Sequence, residues 1–162
     1  MRSRPLLSLA CRFRVVVRRG MADTNGEHPP PTLAEYERLV TRPEMRRFMV
    51  DCLRVAGAAD THAAQLADVL IEGDVRGHYS HGLNRLEMYV RDLQSKTCSA
   101  SGEPEILKER AGTAWVDGRN LLGPVVGNFC IDLAVKKAKE TGVGWVVAKG
   151  TLFDAFATVI VA

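Results

Sequence analysis

Cysteine is sparse and unpaired in this chain. Cys11, Cys52, Cys98 and Cys130 lie far apart with no CxxC pair. That usage suggests neither a zinc site nor a disulfide framework, and it reads as a reducing compartment. Long apolar runs are also missing: no stretch approaches the roughly 20 apolar residues of a membrane-spanning helix, so the chain is not expected to cross a bilayer. Aromatics make up only 6% of the residues and do not interleave with the scattered basic ones, which argues against a nucleic-acid surface. There is no GxGxxG, no GxxxxGK(S/T) and no GxSxG, so the classical dinucleotide, P-loop and hydrolase readings lack their local signature.

What remains is the composition of a globular protein. The 162 residues, 46% hydrophobic and 25% charged, suffice for one domain of ordinary size. The formal charge of +3 is uneven along the chain. Residues 1–20 hold six arginines and no acid; removing those six from the 22 basic residues leaves 16 against 19 acids, or −3 for the body. The segment MRSRPLLSLACRFRVVVRRG has the composition of a mitochondrial leader. Its alternatives are a basic tail, or an extension skipped when Met21 serves as the start, which leaves a cytoplasmic protein. ADTNGEHPPP, residues 22–31, reads as a linker, so 1–31 stand outside the expected fold.

From Thr32 the pattern becomes periodic. Thr41, Arg42, Pro43 and Glu44 read as a capping box with proline near the first helical position, and Met45, Phe48, Met49, Cys52, Leu53 and Val55 recur at helical spacing to about Ala56. Gly57 stops that helix. Asp60 or Thr61 caps a second, with Ala64, Leu66, Ala67, Leu70 and Ile71 on its apolar side and Gly73 at its end. Leu86, Met88, Tyr89 and Leu93 mark a third, with Arg85, Glu87, Arg91 and Asp92 on the wet side.

The character changes at Ser99–Pro104, a small polar loop. Ile106–Glu109 and Thr113–Val116 read as short strands turning at Gly112, and GRNLLG, 118–123, as a loop. Pro124 opens a helix with Val125, Val126, Phe129, Ile131, Leu133 and Ala134 on its apolar side. Lys136, Lys137 and Lys139 sit in its last turns, where cations suit the dipole, and Gly142 stops it. Val143–Ala148 is a buried-strand pattern for which parallel pairing is expected, and Ala155–Ala162 reads as a further strand or a helix start. The fold class expected is therefore mixed α/β: a helical segment, 32–98, then part of a mixed-sheet domain, 99–162.

The chemistry concentrates in DVRGHYSHGLNR, residues 74–85. If the segment from about Ser80 is helical, His81 and Arg85 share a face and point an imidazole and a guanidinium at the same space. That pair suits an anionic substrate: Arg85 holds a carboxylate by two parallel hydrogen bonds, and His81 exchanges a proton with a neighbouring oxygen. Ser80 either joins the substrate contact or caps the helix. The plainer readings are a structural histidine, arginines at 76 and 85 that are solvated or paired with Asp74 and Glu87, and glycines at 77 and 82 that only turn the chain. His78 and His81, three apart, invite a metal but have no evident third ligand, so no metal is expected.

DVRGHYSHGLNRLEMYV, the preceding AAQLADVLIEGD and the later GRNLLGPVVGNFCIDLAVKKAKETGVGWVVAKG together resemble the malate/L-lactate dehydrogenase family, which includes ureidoglycolate and sulfolactate dehydrogenases and is unrelated to classical malate dehydrogenase. The resemblance spans about residues 38–151. It implies a non-Rossmann fold and hydride transfer between NAD or NADP and a 2-hydroxy or 2-oxo acid, malate-like in this case. It gives Ser80 and Arg85 substrate contacts and makes His81 the proton donor and acceptor. Protonating the carbonyl oxygen as hydride arrives avoids a free alkoxide.

The family pattern also continues past the strand ending near Gly150 into a small polar residue, a histidine and a glycine, where this chain reads GTLFDAFATVIVA. The expectation is therefore an incomplete isoform with no cofactor contact assignable by matching. Such a chain is either inactive alone or a noncatalytic fragment that associates with full-length subunits; a homo-oligomer is the other partner expectation.

Overall fold

The computed structural model describes residues 40–151 and 156–162, and the leader and linker readings fall outside those residues. The elements below belong to the compact unit Arg42–Ala162. Its first layer is a helical hairpin. Helix α1, Arg42–Val55, buries Met49 and Leu53 completely, each four residues from the next, as the 3.6-residue period requires. After the Gly57 turn, α2, Asp60–Val75, buries Ala63, Leu66, Ala67, Leu70 and Ile71. Full burial of one such leucine is worth about 1.5–3 kcal/mol. Exposed ion pairs stitch the hairpin: Arg42 to Glu72, and Arg46 to Asp68 at 2.6 and 3.0 Å.

Two details of α2 correct the sequence reading. Its N-cap is Ala59, with no side-chain cap, and its amide bonds Ala100 across the loop at 2.9 Å. Asp60 instead faces Arg54, at 2.6 and 2.7 Å, which lowers its carboxyl below the usual range. The helix also runs through Gly73 to Val75, because the missing side chain there serves packing rather than termination: a β-carbon at Gly73 would lie 2.7 Å from the His81 carbonyl oxygen.

Helix α3, Leu86–Gln94, packs Leu86 and Leu93 into the same core. Asp92, expected on the wet side, is half-buried, and its Oδ2 has no partner among the described residues. The second layer is a sheet of order β1-β2-β3-β4, built from Glu105–Glu109, Thr113–Leu121, Gly144–Thr151 and Phe156–Val161. Strands β2 and β3 pair in parallel, joined by helix α4, Gly123–Thr141, and the two outer pairings are antiparallel. The final segment is thus a strand, settled by its pairing with β3. α4 carries Pro124 in its first turn and ends on Gly142 in the left-handed conformation, as its sequence signals require.

The sheet's inner side, Ala114, Val116, Val146 and Ala148, joins Val126, Cys130 and Ala134 of α4 in the core that also holds the helical hairpin. Ile131, expected on the apolar side, is exposed, and its neighbour Cys130 is buried instead. On the other side Trp115 pairs with Val147, and Trp145 stands between Thr113 and Ile160; Trp145 is 50% and Ile160 61% exposed.

GRNLLG is not a free loop. β2 passes through a register shift between Asp117 and Leu121, with Arg119 and Asn120 at positive φ, and pairing resumes as Leu121 with Thr151. The irregular residues are secured from outside the sheet: the Ser99 amide donates to the Asn120 carbonyl at 2.8 Å, and Asn120 Nδ2 to Thr97 at 2.5 Å. Lys137 departs from its expected role at the helix end. Its side chain is buried, and Nζ reaches the carbonyls of Arg110 and Ala111 at 2.6 and 3.4 Å and Glu109 at 2.9 Å, tying α4 to the turn between β1 and β2.

Candidate active site

The reactive segment is not an α-helix. Gly77 at φ 79° reverses the chain after α2, and the His78 amide returns to the Gly73 carbonyl at 2.8 Å. Two short 3-10 turns follow, Tyr79–His81 and Leu83–Arg85, broken at Gly82 with φ −106° and ψ −140°. The shared helical face expected for His81 and Arg85 is therefore absent, since Gly82 interrupts the helical path between them.

Ser80 brings the two together by another route. Its Oγ lies 2.8 Å from His81 Nδ1, and its carbonyl accepts the Arg85 Nε–H at 2.7 Å. The three predicted site residues thus form one constellation centred on Ser80. With Nδ1 engaged, the other ring nitrogen of His81 has no partner among the described residues, and the residue is exposed. Whichever of the two atoms donates, this contact leaves Nε2 as the ring nitrogen open to a ligand oxygen. Arg85 is half-buried; its Nη1 lies 3.9 Å from Met88 Sδ, a weak contact, which leaves the terminal fork of the guanidinium for an anion.

The plainer pairings do not form. Arg76 takes Glu72 at 3.3 Å, and Glu87 takes Arg91 at 2.5 Å, each one helical turn away. Asp74, which sequence reasoning offered only as an arginine partner, turns toward the motif: its Oδ2 accepts the Leu83 amide at 2.8 Å. Burial raises its carboxyl above the ordinary aspartate value, and the Leu83 hydrogen bond opposes that shift. A β-carbon at Gly82 would overlap this carboxylate. An acid and an amide nine positions apart are no recognised motif, and the only signal in the sequence was the glycine itself.

Among the described residues no three His, Cys, Asp or Glu side chains converge as metal ligands. For a nicotinamide dinucleotide, attention falls on the carboxyl ends of the parallel strands β2 and β3. There Lys149 is held by Asp117 at 3.2 Å and lies over the Trp115 ring at 5.7 Å, and Asp117 also accepts the Arg119 amide at 2.9 Å. Of two crevices described, one of about 430 Å³ lies on the outer sheet face by Trp115 and Trp145, and one of about 240 Å³ lies between α1 and α2. Neither adjoins His81. The groups at the strand ends, Lys149, Asp117, Trp115 and Arg119, are already engaged with one another, and no residue is assigned a contact to a dinucleotide.

The malate/L-lactate dehydrogenase family model matches residues 40–154, and the chain belongs to that family. It is 38% identical over 106 residues to the malate/(S)-sulfolactate dehydrogenase of Methanothermus fervidus, covering 65% of this chain and 31% of that enzyme. The malate dehydrogenase structure from Pyrococcus horikoshii matches with a TM-score of 0.67 at 36% identity over 69% of this chain and 32% of that one. The sulfolactate dehydrogenase structure from Methanocaldococcus jannaschii matches with the same TM-score at 32% identity over 70% and 33%. The chain thus spans about a third of the length of the relatives it matches. Strand β4 lies beyond the residues the family model covers.

Proposed function

We propose that the Ser80, His81 and Arg85 constellation is the substrate-side half of a dehydrogenase site that takes a small 2-hydroxy or 2-oxo acid, malate-like in shape. The observation that carries this reading is the double use of Ser80, whose Oγ meets the His81 imidazole and whose carbonyl holds the Arg85 guanidinium. Arg85 anchors the substrate carboxylate, and His81 Nε2 gives a proton to the carbonyl oxygen in reduction and takes it from the hydroxyl in oxidation. The names of the relatives, malate and sulfolactate dehydrogenases, support an acid of this class. The redox partner in this reading is NAD or NADP. Oxidation of NADH or NADPH by the full chain against a panel of 2-oxo acids tests it: turnover above blank, lost in His81→Ala, is the supporting outcome.

A second reading has its own observation. The outer sheet face, with Trp115, Trp145 and Ile160 exposed, suits a noncatalytic chain that associates with full-length subunits of the family. Absence of turnover, together with co-purification with a full-length subunit, favours this second reading. The basic leader, in either reading, addresses the chain to mitochondria, and a start at Met21 leaves it cytoplasmic.

A further inference from the structure

We infer that Asp74 is the positioning residue of this site: its carboxylate fixes the Gly82–Leu83 link and so sets where His81 and Arg85 stand relative to each other. The inference rests on the reading of His81 and Arg85 as substrate contacts, and it concerns a residue that itself touches no substrate. Asp74 belongs to the last turn of α2, whose preceding turns are locked into the core by Leu66, Leu70 and Ile71. It therefore extends from a rigid element into a segment that has no long helix of its own. Its Oδ2 receives the amide of Leu83, the first residue of the 3-10 turn that ends at Arg85.

The rest of the carboxylate occupies the space that a side chain at residue 82 would need, so Gly82 is the complement of Asp74 and the two turns hinge around that contact. Beside it, Gly73 lets the end of α2 approach the His81 carbonyl. One helix end thus grips both turns, the His81 turn through Gly73 and the Arg85 turn through Asp74. Arg76, two residues on, pairs with Glu72, and the Asp74 carboxylate takes the Leu83 amide. A carboxylate engaged by a backbone amide and, among the described residues, left without a cation is suited to holding a shape while leaving nearby guanidinium charge for a ligand.

The test uses the full chain with labelled histidine and arginine, reading the His81 ring and Arg85 Nε signals by NMR and titrating with oxamate, an unreactive mimic of a 2-oxo acid. Asp74→Ala is expected to move both signals and weaken oxamate binding about tenfold, the loss of one hydrogen bond to a charged group. Asp74→Asn, which keeps an oxygen acceptor for Leu83, is expected to restore both. Gly82→Ala should reproduce the Asp74→Ala displacement, and it should cost far less in the Asp74→Ala background, where the clash is gone. Amide signals across α1 and the sheet separate this local effect from unfolding.

If Asp74→Ala does not fold, Asp74→Asn and Gly82→Ala carry the comparison. Unchanged His81 and Arg85 signals in Gly82→Ala, or equal costs of that change in both backgrounds, overturn the inference. Wild-type chain that binds no oxamate refutes the substrate reading instead, and the NMR signals still decide the role of Asp74.

Discussion

The Arg85 Nε–H donates to the Ser80 carbonyl at 2.7 Å, so the guanidinium is anchored on one edge and presents its end to solvent. That arrangement makes a lysine unequal to the task, since an ammonium on a flexible stem cannot hold the carbonyl and a planar carboxylate at once. Arg85→Lys is expected to weaken oxamate binding about tenfold with little change in stability, measured by calorimetric titration and denaturant unfolding. Unaltered affinity would remove Arg85 as the carboxylate anchor.

Ser80 acts on its two neighbours by different atoms, which separates their roles. Ser80→Ala deletes the Oγ contact to His81 Nδ1 and keeps the carbonyl that holds Arg85. The variant should redistribute the ring proton of His81 between its nitrogens while oxamate affinity stays within about twofold, because the exposed hydroxyl adds little to binding itself. Nitrogen-15 spectra of the imidazole read the first quantity. A large loss of affinity with an undisturbed ring would place Ser80 on the substrate rather than on His81.

Away from the site, the buried Lys137 is the connection most exposed to mutation. Lys137→Met removes the Nζ hydrogen bonds to the Arg110 and Ala111 carbonyls and is expected to cost about 1–3 kcal/mol in urea unfolding. Its partner gives the pH dependence. The Lys137 hydrogen bond lowers the Glu109 carboxyl below its usual 4.5, so the stabilisation is present above that value and is lost as pH falls through the lower folded value. The stability gap between wild type and Glu109→Gln should therefore be open near neutrality and closed in strong acid. A gap that persists in acid would show that packing, not charge, holds the turn.

Among the described residues Cys52, Cys98 and Cys130 are free thiols, and burial pushes each one up. Cys52 is half-buried on α1, whereas Cys130 is enclosed between α4 and the sheet. Alkylation followed by mass spectrometry should modify Cys52 slowly and Cys130 only on unfolding. Rapid modification of Cys130 in the folded chain would contradict the packing of α4.

Much of this architecture is legible in the sequence for a simple reason. Met49, Leu53, Leu66 and Leu70 obey the helical period, and Gly57, Pro124 and Gly142 do their work within a few residues of themselves. The site residues were also legible as types, but their arrangement was not. The spacing of His81 and Arg85 suggested one helix, and only Gly82 with its ψ of −140° breaks it. Gly82 is there for Asp74, a contact made through space, just as Gly73 is there for the His81 carbonyl. The burial of Lys137 and the resumption of pairing at Leu121 likewise depend on partners 27 and 30 residues away, beyond any local pattern.

Whether Ser80, His81 and Arg85 form one anion site is decided by titrating the labelled full chain with oxamate while following the His81 ring and Arg85 Nε signals together. Saturable movement of both with a single dissociation constant, abolished by Arg85→Ala, is the result predicted from the shared Ser80 contact. Movement of neither, or a response that survives Arg85→Ala unchanged, contradicts it.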